Sequence, residues 1–215
     1  MKLFLTSINT TGIQKLITGK PKDNRVLFIP TAANVYEDKW FVKNDLESWI
    51  SQGFQLHEFD IESKPPEEIE EQLEKVDIIH FAGGNSFYLL QHIYSTNLHK
   101  LLPKYLINGL IYSGGSAGAT IAGSNIEPAG IFDDPAKAPQ LKTTKGLGFI
   151  DFALLPHYGK AKYEDRYQQV FSQYKNKYKL LTITDNQSII INHNWHQIIN
   201  YNQEKPENSI ATDTI

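Results

Sequence analysis

The chain has 215 residues, 40% of them hydrophobic and 21% charged, the make-up of an ordinary globular protein that fits one domain, residues 1–215. Its formal net charge of −3 leaves no basic footprint for nucleic acid, and the lack of any cysteine excludes disulfides, thiolate metal sites and a cysteine nucleophile. No apolar run approaches the length that crosses a bilayer, and Met1-Lys2-Leu3-Phe4-Leu5 is too brief for a secretory leader, so a cytoplasmic location without membrane partners is expected.

Residues 3–6 read as a first strand and 10–17 as a short helix. The continuous apolar run in 25–30 predicts a strand buried on both faces, and 31–34 its turn. Over 39–52 the spacing of Trp40, Phe41, Leu46, Trp49 and Ile50 predicts a helix, stopped by Gly53. A strand over 54–59 follows, then Pro65-Pro66 and an acidic helix over 67–74 with a solvated charged face. Residues 76–81 read as the next buried strand, 87–94 and 100–108 as helices, and 110–112 as a strand. The stretch 125–148 is a long loop, 152–158 a strand, 163–178 an aromatic-rich helix, and 180–184, 188–192 and 197–201 three short strands joined by hairpin turns at Asp185-Asn186-Gln187 and His193-Asn194. The polar end from Glu204 is expected to fray. Strands alternating with helices predict an α/β domain: a three-layer sandwich around a mostly parallel sheet, whose ligands sit beyond the carboxyl ends of the strands.

Gly114-x-Ser116-x-Gly118 stands where a strand turns into a helix, the arrangement of a nucleophile elbow. Small neighbours let the turn close and lift the hydroxyl above the sheet edge. The plain alternative is a glycine-rich turn that only packs a helix on a strand. A serine nucleophile needs a base, and of the seven histidines His157 follows an apolar strand and a proline at that same edge. His57 and His80 fall within strands and read as structural; His92 and His99 read as solvent-facing on helices. His193 and His196 have a spacing open to metal, but no carboxylate or cysteine accompanies them, so neither metal nor cofactor is expected. Asp185 ends an apolar run and suits the acid that orients the base, with Asp133 and Asp134 as competitors for that task or for substrate contact. The N–H of Ala117 and that of Gly84 suit an oxyanion hole.

Three separated segments, Phe81-Ala82-Gly83-Gly84-Asn85-Ser86-Phe87-Tyr88-Leu89-Leu90, Gly114-Gly115-Ser116-Ala117-Gly118-Ala119 and Leu155-Pro156-His157-Tyr158, resemble the motifs of the peptidase E-like serine hydrolases. That family includes aspartyl dipeptidases and cyanophycinases. The resemblance implies a fold like that of class I glutamine amidotransferase domains (flavodoxin-like), with serine in place of their cysteine. It implies Ser116 as nucleophile, His157 as base, and Gly84 with Ala117 as oxyanion donors. Two departures stand out. The family's third member is often glutamate, where this chain offers Asp185. The glycine-glutamate-threonine-arginine run that aspartyl dipeptidases carry after the histidine is replaced by Lys160-Ala161-Lys162-Tyr163, with Arg166 further on. The expected activity is hydrolysis of a small peptide or amide through an acyl-serine; an esterase, or a silent binding protein on the same fold, is the alternative. Asn85, Asp133, Asp134 and Arg166 are the expected substrate contacts, and the oligomeric state is expected to be monomer or homodimer.

Overall fold

A computed structural model describes residues 1–193 and 195–201. Among the described residues there are nine strands: β1 (Lys2–Thr6), β2 (Arg25–Ile29), β3 (Gln55–Glu58), β4 (Ile78–Phe81), β5 (Ile111–Gly115), β6 (Ala153–Leu155), β7 (Leu180–Thr182), β8 (Gln187–Asn192) and β9 (Trp195–Asn200). The helices are α1 (Trp40–Ser51), α2 (Pro66–Leu73), α3 (Ser86–Ser95), α4 (Leu98–Ile107), α5 (Ala117–Ile121) and α6 (Glu164–Tyr174). Seven strands form one sheet in the order β3-β2-β4-β5-β1-β8-β9; the first five run parallel, and β8 and β9 are antiparallel additions.

The apolar runs build two faces because successive side chains of a strand point to opposite sides. Leu3, Leu5, Leu27, Ile29, Ile79 and Phe81 pack under α2, α3, α4 and α5. Their alternates Phe4, Val26, Phe28 and Ile78 pack under α1, whose Trp49 is fully buried against them. The result is the expected three-layer α/β arrangement. All five parallel strands end on one edge, so the residues after β1, β2, β4 and β5 meet there.

Several local expectations are corrected. The helix expected over 10–17 is a 3-10 turn, Thr11–Lys15. The expected stripe of α1 holds at Phe41, Leu46 and Trp49, which pack on the core, but Trp40 and Ile50 are 63% and 56% exposed and Val42 is buried in addition. The elbow strand runs on to Gly115, because Leu5 and Thr6 of β1 pair with Gly114 and Gly115. The long loop is not structureless; it holds 3-10 turns at Glu127–Ile131 and Pro135–Lys137. The expected strand over 152–158 shortens to β6, and only β8 and β9 form a hairpin: β7 pairs in parallel with β6 as a small satellite sheet. The aromatics of α6 pack on β6, with Tyr167 and Val170 buried. The expectations for Asn194 and for the tail from Glu204 lie outside the described residues.

Candidate active site

Ser116 sits at the carboxyl end of β5 with φ 48° and ψ −107°, a conformation that costs a non-glycine residue about 1–3 kcal/mol. Its surroundings hold it there. Its N–H donates to the Thr6 carbonyl at 3.0 Å, and its carbonyl accepts from the N–H groups of Ala119 and Thr120. The flanking glycines are required by space: a Cβ on Gly114 would lie 2.4 Å from the Gly118 carbonyl, and one on Gly118 would lie 2.1 Å from that of Phe81.

The Ser116 hydroxyl lies 2.9 Å from His157 Nε2, and His157 Nδ1 lies 2.7 Å from Asp185 Oδ1. His157 follows β6 at φ 69°, and Asp185 follows β7, so the satellite sheet carries both partners to a serine that belongs to the main sheet. This is the order of a nucleophile, a general base and the acid that orients it. Asp185 also accepts from Lys160 through Oδ2 and from Ser7 at 2.5 Å. Burial by itself would raise its pKa, but the hydrogen bonds from His157, Lys160 and Ser7 outweigh that and hold the carboxyl well below the usual carboxylate range. Sequence reasoning missed Ser7; the signal available was that it directly follows a strand ending at the same sheet edge as Ser116.

These groups open into a cavity of about 480 Å³, the size range of small-ligand sites. Gly83, Gly84 and Ala117 line it beside Ser116. The wall from α1 and the chain before it supplies Tyr36, Trp40, Phe41 and Asp45, none of which was singled out as a site residue. Trp40 is exposed because it faces this opening rather than the core. His80, buried within β4, ties Asp45 Oδ2 (2.9 Å) to Ser113 Oγ (2.7 Å), so the structural reading of His80 fits its place. His92 corrects its expectation: it is half-buried against the Tyr88 ring at 4.5 Å rather than solvent-facing. Among the described residues no group of three or more His, Asp or Glu side chains is placed to hold a metal ion.

The expected substrate contacts divide. Asp133 lines the cavity; its Oδ2 accepts from the Ser86 N–H and hydroxyl at 2.8 and 2.7 Å, and burial raises its pKa despite those bonds. Tyr36 stands in the same wall, its pKa pushed up to about 12 by burial and by the nearby Asp133, so its phenol stays protonated. Asn85 is corrected: it is 1% exposed, and its side chain caps α3 and donates to the Asp134 carbonyl. Asp134 is not among the residues lining the cavity; it is exposed, and its Oδ1 accepts from the Ala136 N–H in the following 3-10 turn. Arg166 is exposed on α6 and is not among the residues lining the cavity; its guanidinium lies 5.8 Å from the Tyr163 ring, and its charge acts on Asp133 to lower that carboxyl's pKa. The cations that do line the cavity are Lys160 and Lys162.

The family model of peptidase family S51 matches residues 6–199. The chain belongs to peptidase family S51. It is thus a serine peptidase-type hydrolase, as its motifs predicted. This S51 peptidase is 31% identical over 193 residues to an uncharacterised peptidase of Pasteurella multocida, covering 89% of this chain and 93% of the other. It is 34% identical over 192 residues to an uncharacterised peptidase of Listeria monocytogenes, covering 88% and 93%. A crystal structure of a proposed peptidase E protein from Listeria monocytogenes superposes with a TM-score of 0.86 at 30% identity, covering 94% of this chain and 98% of that one. No helix among the described residues of the S51 peptidase is long and apolar enough to cross a membrane.

Proposed function

We propose that this S51 peptidase cleaves a short peptide or related amide through an ester formed on Ser116. The observation that carries the reading is the hydrogen-bonded chain from Ser116 Oγ through His157, both of which line the cavity, to Asp185. As Oγ attacks the scissile carbonyl carbon, His157 Nε2 takes its proton. The tetrahedral oxyanion is held by the N–H groups of Ala117 and Gly84. The C–N bond then breaks, and His157 returns the proton to the leaving amine. Water repeats the sequence on the ester and frees Ser116. Asp185 holds the imidazole with Nδ1 protonated throughout.

Asp133 receives the free amino group of the substrate; its place in the cavity wall supports this. Lys162, which lines the cavity, rather than Arg166, which does not, is the cation placed to meet an acidic group. Lys160 is spent on Asp185. We place the reaction in the cytoplasm, on one domain spanning 1–215 that works as a monomer or homodimer without metal or cofactor. The absence of cysteine suits a reducing compartment.

The test combines a phosphonate probe with a dipeptide library. Wild type labels at Ser116, and Ser116→Ala loses turnover by several orders of magnitude with its thermal midpoint nearly unchanged. A Ser116→Ala variant that still turns over a verified peptide ends the assignment. Preference for esters over every peptide favours the esterase, and tight binding with no labelling favours the silent protein.

A further inference from the structure

The reacting chain spans two sheets. Ser116 follows β5 of the main sheet, whereas His157 and Asp185 follow β6 and β7 of the satellite pair, each only three residues long. A misfit of half an ångström between the two sheets would spoil the Ser116–His157 hydrogen bond. Ser7 sits at the junction. It follows β1, the strand paired to β5 through Thr6 and Gly115, and is 1% exposed. Its Oγ accepts the backbone N–H of His157 at 3.0 Å, donates to Asp185 Oδ1 at 2.5 Å, and stands 2.8 Å from His157 Nδ1.

A hydroxyl has one proton and two lone pairs. The ionised Asp185 only accepts, so the Ser7 proton points to Oδ1. For Nε2 to accept from Ser116, Nδ1 must carry the imidazole proton, which is then shared between Asp185 Oδ1 and Ser7 Oγ. The second lone pair of Ser7 meets the His157 main chain. Every hydrogen-bonding position of Ser7 is therefore spent on the two residues that activate Ser116. A packing serine needs only one such bond.

We propose that Ser7 is a positioning residue of this site: from the main sheet it clamps the His157 backbone in its left-handed conformation and the Asp185 carboxylate in register with the nucleophile. It acts through His157 and Asp185, and it rests on the serine-hydrolase reading above.

The experiment measures Ser7→Ala, Ser7→Cys and Ser7→Thr on a peptide the wild type cleaves, well below each variant's thermal midpoint. Ser7→Ala loses about 10- to 100-fold in kcat, the scale of a hydrogen bond to a charged group, with KM within about twofold. Phosphonate labelling of Ser116 slows in proportion. Ser7→Cys, close in size but a poor donor, shows the same losses and decides the matter if Ser7→Ala does not fold. Ser7→Thr, which restores the hydroxyl, recovers most of kcat. Wild-type kcat in Ser7→Ala or Ser7→Cys, whatever their thermal midpoints, would falsify the proposal. Failure of the underlying reading is separate: the wild type itself would then escape labelling, or Ser116→Ala would remain active.

Discussion

At the scale of single residues, two carboxylates of the site are pushed in opposite directions. Asp185 is held ionised by His157, Lys160 and Ser7, which suits an acid that must stay an acceptor. Asp185→Asn keeps the size but presents the imidazole with a donor, favouring the wrong tautomer. A kcat loss on the order of 10³- to 10⁴-fold is expected, with peptide KM little changed; steady-state kinetics at neutral pH check it. Asp133 is raised by burial, so its proton is lost at higher pH than from an ordinary carboxyl. An amino group held by its charge therefore binds less well as pH falls through that raised value. Asp133→Asn should raise KM for peptides with a free amino terminus, abolish this pH dependence of KM, and leave N-acetylated peptides unaffected. Equal KM changes for free and acetylated peptides would remove Asp133 from amino-group recognition.

At the scale of elements, the elbow depends on how closely α5 approaches the sheet. A Cβ on Gly118 would meet the Phe81 carbonyl oxygen at 2.1 Å and the Phe81 Cβ at 2.7 Å, both parts of β4 that cannot swing aside. Gly118→Ala must therefore lift α5, and Ser116 with it. A loss of about 2–4 kcal/mol in urea unfolding is expected, together with slower phosphonate labelling in the protein that remains folded. Wild-type values for both would show that the elbow tolerates the shift. The same elements explain which parts of the architecture were legible. The runs of β2, β4 and β5 are apolar because both faces are covered, and that signal needs no partner to be read. The stripe of α1 misled because Trp40, though apolar, is placed for the cavity mouth. The span 10–17 held enough apolar residues for a helix, yet it folds as the 3-10 turn Thr11–Lys15.

For the whole molecule, the depressed pKa of Asp185 is also a statement about stability. Its folded value lies below its unfolded one, so the native state gains stability that is fully present above about pH 4 and is lost as pH falls toward the folded value. Urea midpoints of the wild type should fall between about pH 5 and 3, and those of Asp185→Asn should fall less over the same interval. Parallel curves would show that other carboxylates carry the acid response.

Local chemistry written in consecutive residues was decided by the sequence: the glycines that let the elbow close, the apolar runs buried on both faces, and the order of serine, histidine and acid. Asp185 was recognised from its place after an apolar run, although the hairpin drawn around that turn was wrong. Contacts between segments far apart in the chain needed the tertiary structure. Only the pairing of β7 with β6 brings Asp185 to His157, 28 residues earlier. Only the pairing of β1 with β5 brings Ser7 to His157, 150 residues later. Asn85 and Asp134 carry the right chemistry for a ligand, but the Asn85 side chain is buried and bonded within the fold, and Asp134 lies outside the cavity lining with its Oδ1 on the Ala136 N–H. A motif can name the reacting groups because bond geometry is local; which polar side chains are left free for a substrate depends on what the rest of the fold has already bonded.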